Sequence, residues 1–197
     1  KAIFVINPTY FGITSDLKAI CEEAHKRGII VIVDEAHGAH LHFNDSMPLS
    51  AMEAGADISS LSVHKTGGSL TQSSVILVKK DRVNFSRIQR VFAMFSSTSP
   101  NHLLLASLDV ARKKLVFEGK ELLDKELELA KYAREKINNI RGYSCIDKSY
   151  CDRPGRFDFD LTKVVINVSE VGLSGFDVYK TIRKESNIQL ELGEVSE

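Results

Sequence analysis

Runs of consecutive apolar residues alternate with amphipathic segments along the first part of the chain. Residues 2–6 and 29–33 are apolar at every position, which is typical of strands that a parallel sheet buries on both faces. Between them, apolar residues recur at helical spacing up to Gly28, and this pattern predicts a helix over about 15–27. A strand, a helix and a second strand in this order predict a βαβ unit.

The same patterns predict further elements downstream. They indicate strands over 57–64, 72–79, 163–168 and 188–192, and helices over 48–54, 99–117, 120–139 and 174–185. Ser99 is expected to cap its helix, with Pro100 as the first helical residue. The predicted fold class is therefore α/β, with part of a mainly parallel sheet domain followed by the start of a smaller α+β domain.

A change in composition near Arg141 predicts where the domains divide. We expect residues 1–118 to form the C-terminal portion of the large domain, 119–140 a connecting helix, and 141–197 part of a small α+β domain. Residue 1 is a lysine that leads directly into an apolar run, as the interior of a sheet domain does. We therefore expect more of the large domain to precede it.

Composition and charge narrow the classes of function. The 197 residues carry 26 Lys+Arg and 26 Asp+Glu, and a net charge of zero gives no reason to expect a nucleic-acid partner. No apolar run approaches the roughly 20 residues that a membrane span needs, so no membrane partner is expected. Three cysteines without a CxxC pair favour a reducing, cytoplasmic setting over a disulfide framework.

Ionisable residues follow two of the predicted strands. Asp34 comes directly after the strand 29–33, and Lys65 follows the strand 57–64, so both lie where functional groups gather in open α/β sheets. Lys65 is a candidate amine for an imine, and Asp34 could hold a ring nitrogen protonated. A lysine imine with an acidic partner for a pyridinium nitrogen is typical of enzymes that use pyridoxal phosphate (PLP).

Ser62 and His64 alternate with a valine next to Lys65. If they belong to the predicted strand, their side chains share one face of it and could bind a phosphate together.

Three segments of the chain resemble the Orn/Lys/Arg decarboxylase family of fold-type-I PLP-dependent enzymes. They are VDEAHGAH at 33–40, SVHKT at 62–66 with LTQ at 70–72, and SSTSP at 96–100 with LASLD at 105–109. The resemblance covers most of the chain and is strongest over about 1–118. It implies decarboxylation of arginine, lysine or ornithine to a polyamine precursor.

The resemblance also implies roles for the residues around Lys65. Lys65 would bind PLP covalently as an imine, and Asp34 would pair with the pyridine nitrogen. Ala36 would pack under the ring, and His37 would lie near the cofactor or the substrate carboxylate.

Other residues would hold the phosphate or contact a second subunit. The resemblance implies that Ser62 and His64 contact the PLP phosphate of their own subunit. Ser97 and Thr98 would reach the phosphate of a neighbouring subunit, because such enzymes build active sites across a dimer interface. A homodimer or higher homo-oligomer is therefore expected. Glu191 would face the distal amine of the substrate.

Several alternatives stay open at this point. Another fold-type-I reaction, by an aminotransferase or an amino-acid lyase, would use the same lysine. An inactive fragment that keeps the fold is also possible, because the family places its phosphate-gripping loop and its ring-stacking residue before residue 1. A metal site is a further alternative, with His37, His40 and His42 joined by Asp34 and Glu35. We predict no metal, because the H-x-x-H-x-H spacing lacks the HExxH signature.

Overall fold

A four-stranded sheet forms the centre of the computed structural model, which describes residues 1–194. The strands, in chain order, are β1 (Ala2–Ile6), β2 (Ile13–Thr14), β3 (Ile30–Asp34), β4 (Ile58–Leu61), β5 (Val75–Val78), β6 (Ser144–Cys145), β7 (Asp158–Phe159) and β8 (Ile166–Asn167). The helices, in chain order, are α1 (Leu17–Lys26), α2 (Ala51–Ala54), α3 (Val63–Thr66), α4 (Phe85–Phe95), α5 (His102–Asn138) and α6 (Gly175–Ser186). Short 3-10 helices lie at Leu41–Phe43, Lys148–Cys151 and Ser169–Val171.

The main sheet has the strand order β1-β3-β4-β5. Strands β1, β3 and β4 are parallel, and β5 is antiparallel to β4. The register pairs Ile6 with Asp34 and Asp34 with Ser60, so the three parallel strands end at one edge of the sheet. The predicted βαβ unit and the mainly parallel sheet are confirmed.

Helix α1 packs one apolar face onto the sheet. The side chain of Asp16, the residue before α1, caps the helix by accepting a hydrogen bond from the Ala19 N–H at 3.0 Å. This bond satisfies one of the free backbone donors at the start of a helix. Buried Leu17 and Cys21 pack against Val31 and Val33 of β3. This burial ties α1 to the strand that ends at Asp34.

The prediction of one strand over 57–64 is wrong at its end. Strand β4 stops at Leu61, and the chain turns at Ser62 into the single-turn helix α3. Both the backbone N–H of His64 and its ring Nδ1 lie within hydrogen-bond distance of the Ser73 carbonyl, at 3.3 and 2.9 Å. These contacts fold the segment away from the sheet, so Ser62 and His64 do not share a strand face.

The prediction of two helices over 99–117 and 120–139 is also wrong. Helix α5 is continuous from His102 to Asn138. Gly119 does not break it but allows a close approach, because a Cβ there would lie 3.1 Å from the Cβ of Phe43. The predicted cap at Ser99, with Pro100 as the first helical residue, is wrong as well. The helix starts after Asn101, whose side chain accepts from the Leu103 and Leu104 N–H groups.

Three further differences concern one helix and two strands. Helix α4 was not among the predicted elements. The strand predicted over 163–168 is reduced to β8, which pairs antiparallel with β6, and the segment 188–192 has no strand in the structure. Helix α6 is confirmed, and it starts with a capping box in which Ser174 and Asp177 bond to each other's backbone N–H.

The segment 144–163 packs against earlier parts of the chain. Strand β7 pairs antiparallel with β2. The buried guanidinium of Arg134 donates to the carbonyls of Ile146, Leu161 and Lys163, at 3.3, 2.7 and 2.5 Å. The proposed division at residues 118 and 140 stays a prediction. Within the described part of the chain, no helix combines the length and apolar character that a bilayer crossing requires.

A buried hydrogen-bonded pair of side chains makes a second long-range connection. His40 Nε2 lies 3.0 Å from Asp160 Oδ2, and both side chains are almost completely inaccessible. Burial alone would raise the pKa of Asp160, but hydrogen bonds from His40 and Thr162 lower it below its usual value. The loop after β3 is thus joined to a residue 120 positions away in the sequence.

Replacing Arg134 with methionine should destabilise the protein, because three partly buried carbonyls lose their donor. We expect the free energy of unfolding to fall by about 2 kcal/mol or more, measured by urea denaturation. Lys131→Met, an exposed change on the same helix, is the control and should have little effect. Equal stabilities for the two variants would contradict the role of Arg134.

The Asp160 carboxylate should make stability depend on acid pH. Its pKa is lower in the folded state, so its contribution is complete above the unfolded value near 4 and is lost as the pH falls through the folded value. Asp160→Asn should lower the unfolding free energy at pH 7 by about 3 kcal/mol. Urea titrations between about pH 6 and 3 should show a shallower pH dependence for the variant than for the wild type. Parallel curves would contradict the assignment.

Candidate active site at the carboxyl edge of the sheet

The loops that follow β1, β3 and β4 meet at one edge of the sheet. The backbone N–H of Asn7 donates to the Asp34 carbonyl at 3.0 Å, and the buried Asn7 side chain accepts from the Ser15 N–H at 2.8 Å. The Glu35 N–H donates to the Ser60 carbonyl at 2.9 Å. These bonds hold the three loops together beyond the ends of their strands.

Lys65 and His37 face each other across this edge. Lys65 is exposed on α3, and its Nζ lies 3.2 Å from His37 Nε2. The ring of Tyr10 packs edge-to-face on His37, with 4.9 Å between ring centroids. Burial and the positive charges of Lys65 and Lys163 lower the pKa of His37. His37 is therefore neutral at neutral pH and can accept a hydrogen bond from the Lys65 ammonium group.

Asp34 is the last residue of β3 and is partly buried. Its Oδ1 accepts a hydrogen bond from the Ala36 N–H at 3.0 Å. This bond orients the carboxylate and leaves its second oxygen for a ligand. Ala36, which is also partly buried, follows two residues later on the same turn.

Ser62 and His64 flank the start of α3. The Ser62 hydroxyl makes no capping bond to the helix. The ring Nδ1 of His64 donates to the Ser73 carbonyl, because a carbonyl can only accept. Its Nε2 is therefore the atom left to contact a ligand. The turn, and not a strand face, presents these two side chains.

Ser97 and Thr98 lie in the exposed loop between α4 and α5. The hydrogen bonds of Ser97 are local and reach only the backbone of Ser99. Within residues 1–194, no hydrogen bond connects Ser97 or Thr98 to Lys65 or Asp34. Their expected role in a neighbouring subunit stays a prediction.

The five residues of the alternative metal site have separate partners. His37 faces Lys65, His40 pairs with Asp160, and the exposed His42 pairs with Glu53. Glu35 is buried and accepts from the Ala51 N–H and the Ser59 hydroxyl. In residues 1–194, no three His, Cys, Asp or Glu side chains converge as a metal site would require.

The buried carboxyl group of Glu35 supports the backbone beneath the site. Burial raises its pKa to about 7, although the hydrogen bonds from Ser59 and Ala51 oppose this rise. Gly38 packs directly against it, because a Cβ at Gly38 would lie 2.7 Å from Glu35 Cγ. Glu35 therefore acts as a structural anchor between β3, β4 and α2.

Sequence reasoning missed Tyr10 and the His40–Asp160 pair. The Tyr10 hydroxyl donates to Glu191 Oε1 at 3.0 Å, which brings Glu191 near His37. Burial and the Glu191 carboxylate raise the pKa of Tyr10. Tyr10 follows β1, so the rule about carboxyl ends of strands could have found it. The pairing of His40 with Asp160 gives no local signal.

The set of groups at this edge fits PLP chemically. A lysine amine can form an imine with an aldehyde, and a carboxylate can pair with a protonated pyridine nitrogen. A free hydroxyl and an imidazole suit a phosphate. The same edge thus offers a donor or acceptor for each reactive part of the cofactor.

Comparison with known proteins shows which family the chain is similar to. The family model described as "Orn/Lys/Arg decarboxylase, major domain" matches residues 1–164. Arginine decarboxylase of Bacillus subtilis (strain 168) is 48% identical over 195 residues, which cover 99% of this chain and 40% of the relative. Lysine decarboxylase LdcA of Pseudomonas aeruginosa is 28% identical over 152 residues, which cover 72% of this chain and 20% of the relative.

Solved structures share the fold. Constitutive lysine decarboxylase of E. coli matches with a TM-score of 0.73 at 21% identity, over 98% of this chain and 32% of that chain. A NifS-like protein from Rickettsia africae matches with a TM-score of 0.61 at 17% identity, over 91% of this chain and 48% of that chain. The predicted fold-type-I architecture is confirmed. With a family match over most of its length, the chain belongs to the Orn/Lys/Arg decarboxylase family.

Proposed function

We propose that this chain carries the imine-forming lysine of a PLP-dependent decarboxylase that acts on a basic amino acid, with arginine as the favoured substrate. The observation that carries the proposal is the Lys65–His37 contact of 3.2 Å at the strand edge where Asp34 lies. Arginine is favoured because arginine decarboxylases are 45–48% identical to the chain, whereas a lysine decarboxylase is 28% identical. The chain spans about 40% of the length of these arginine decarboxylases.

The proposed cofactor would be held by residues on the turns after β3 and β4. Lys65 would provide the covalent bond, Asp34 the partner of the pyridine nitrogen, and Ala36 a small surface beneath the ring. Ser62 and the Nε2 of His64 would contact the phosphate, since the hydroxyl and this nitrogen are the atoms left available there.

The residues of the site would control charge and protons during decarboxylation. When bound, PLP supplies the electron sink that accepts the pair released as the substrate carboxylate leaves as CO2. Asp34 would keep the neighbouring ring nitrogen positive, which stabilises negative charge developing at the α-carbon. Lys65 Nζ or His37 Nε2 would then return a proton to the α-carbon.

The Tyr10–Glu191 pair suits the far end of a basic substrate. Tyr10 orients one oxygen of the Glu191 carboxylate. A guanidinium group binds a carboxylate with two parallel hydrogen bonds, which is stronger than a contact between neutral groups. We propose that Glu191 recognises the distal cation of the substrate, while Tyr10 holds Glu191 beside His37.

A second copy of the chain is the proposed macromolecular partner. The large apolar side chains that flank Ser97 and Thr98 are exposed, with Met94 at 78%, Phe95 at 86% and Leu103 at 68%. Exposed apolar surface of this kind is typical of an interface. Ser97 and Thr98 would then lie between subunits and could reach the phosphate of the neighbouring site.

Two further parts of the proposal concern the reaction product and the cellular compartment. The product would be a diamine or agmatine that serves as a polyamine precursor. The cytoplasm is the proposed compartment, because the described cysteines, Cys21, Cys145 and Cys151, are free thiols and reducing conditions keep them so.

Lys65→Ala should abolish covalent cofactor binding. We expect the purified wild type to gain a near-visible absorbance band with PLP, and borohydride reduction followed by peptide mapping should find the label on Lys65. Lys163→Ala, a nearby lysine, is the matched control and should retain both the band and the label. A band that persists in Lys65→Ala would contradict the assignment.

Glu191→Gln should weaken selection for a cationic side chain. We expect kcat/KM for arginine to fall about tenfold or more, mostly through KM, with CO2 and agmatine still the products. Citrulline, the neutral isostere of arginine, should bind the variant no worse than the wild type. Glu185→Gln on α6 is the control. An unchanged KM for arginine would rule out this role, and a keto acid product would instead indicate an aminotransferase.

A further inference from the structure

The turn over residues 69–73 holds His64 at two points. The Ser73 carbonyl oxygen lies 3.3 Å from the backbone nitrogen of His64 and 2.9 Å from its ring Nδ1. One oxygen thus fixes both the main chain and the imidazole of the residue before Lys65. The position of this oxygen therefore determines where the second ring nitrogen, Nε2, lies.

Hydrogen bonds and backbone conformation fix the turn itself. Ser73 is buried, and its hydroxyl donates to the Leu70 carbonyl and lies within hydrogen-bond distance of the Ser69 hydroxyl. The Leu70 N–H donates to the Ser107 hydroxyl at 3.3 Å, which ties the turn to α5. Gln72 has a φ of +74°, in the left-handed region that residues with a Cβ rarely adopt. Because such strain persists only where the surroundings impose it, the turn is a fixed support for the imidazole.

The Ser73 carbonyl also determines which nitrogen of the His64 ring carries the proton. A carbonyl oxygen only accepts hydrogen bonds, so Nδ1 is the N–H donor. In the neutral ring, Nε2 then has a free electron pair and can only accept. The ionised oxygens of a phosphate also only accept. Neutral His64 therefore has no hydrogen to donate to the phosphate that is proposed to lie beside it.

No carboxylate in residues 1–194 bonds to the His64 ring. The histidine–carboxylate pairs of these residues involve His25, His40 and His42. Helix α3 packs against the loop after β3, α5 and β5. The charged and titratable groups around it are Asp34, His37, His40, Lys65, Asp109, Arg112, Glu126 and Lys163. Since none of these carboxylates pairs with His64, a phosphate would be the first anionic partner of a charged ring.

We propose that His64 binds the cofactor phosphate as an imidazolium, so that phosphate binding takes up one proton, and that Ser73 is the positioning residue for this contact. An N–H bond forms at Nε2 and donates to a phosphate oxygen, while Nδ1 keeps its bond to Ser73. The buffer supplies the proton, because a phosphate monoester is mostly a dianion above about pH 7.

This contact would make the site select a phosphorylated cofactor. A charge-assisted hydrogen bond is shorter and stronger than a neutral one, and unphosphorylated pyridoxal offers no anion to form it. The inference rests on the proposed function in taking His64 as a phosphate contact.

Calorimetry can count the protons with 4-deoxypyridoxine 5′-phosphate, an analogue that lacks the aldehyde and cannot bond covalently to Lys65. Titrations at about pH 8, where an ordinary histidine is neutral, in buffers of different ionisation enthalpy give the protons taken up per ligand bound. His64→Gln keeps an N–H for the Ser73 carbonyl but cannot gain a proton. We expect this variant to take up about one proton fewer than the wild type and to bind the analogue about tenfold more weakly.

Nitrogen-15 NMR of the histidine-labelled protein observes the ring directly. Without ligand, at about pH 8, the His64 ring of the wild type should carry its proton on Nδ1, and saturating analogue should convert Nε2 to an N–H as well. Ser73→Ala removes the hydroxyl bonds that hold the turn. It should give a mixture of the two neutral tautomers without ligand, which a loss of stability alone would not produce.

Two controls make the result specific. His42→Gln replaces an exposed histidine that pairs with Glu53, and it should take up as many protons as the wild type. Thermal unfolding checks that each variant is folded, and the NMR result on the wild type decides the question if His64→Gln is not.

Equal proton uptake by the wild type and a folded His64→Gln would overturn the inference, as would an Nε2 that stays unprotonated with the analogue bound. If the His64 resonances still move in that second case, the phosphate contact stands and only the proton uptake is refuted. His64 resonances that do not respond to the bound analogue, or an analogue that does not bind, would instead refute the phosphate contact of the proposed function.

Discussion

The parallel pairing of β3 with β4 is the constraint on which the site depends. It sets Asp34 opposite Ser60, and the Glu35 N–H extends the pairing by donating to the Ser60 carbonyl. The buried Glu35 carboxyl group then bonds to the Ala51 N–H and the Ser59 hydroxyl. Because these bonds fix the first residues after both strands, Asp34 and the turn that carries Lys65 meet at one edge without long flexible connections.

The contacts around that edge join distant parts of the chain. Tyr10 follows β1 and bonds to Glu191 near the end of the described residues. Asp160 reaches His40 from a position 120 residues away. Both contacts depend on the position of the segment after α5, whose backbone Arg134 holds against α5. The proposed substrate contact therefore requires that this segment be folded against the rest of the structure.

The sequence was sufficient for the elements whose signals are local. The continuous apolar runs of β1 and β3, with α1 between them, gave a correct βαβ unit, and the carboxyl-end rule pointed to Asp34 and Lys65. Sequence reasoning failed where tertiary contacts determine the local conformation. His64 turns away from the strand because it bonds to Ser73, and Gly119 lies inside a helix because it packs on Phe43. Neither contact leaves a pattern in neighbouring residues.

The central claim is that the edge formed by β3, β4 and α3 binds PLP through Lys65 and Asp34. A crystal structure of the protein grown with PLP tests it most directly. The account predicts continuous density from Lys65 Nζ to the cofactor, the Asp34 carboxylate within hydrogen-bond distance of the ring nitrogen, and the phosphate near Ser62 and His64. Cofactor bound at another lysine, or a ring nitrogen that does not face Asp34, would contradict it.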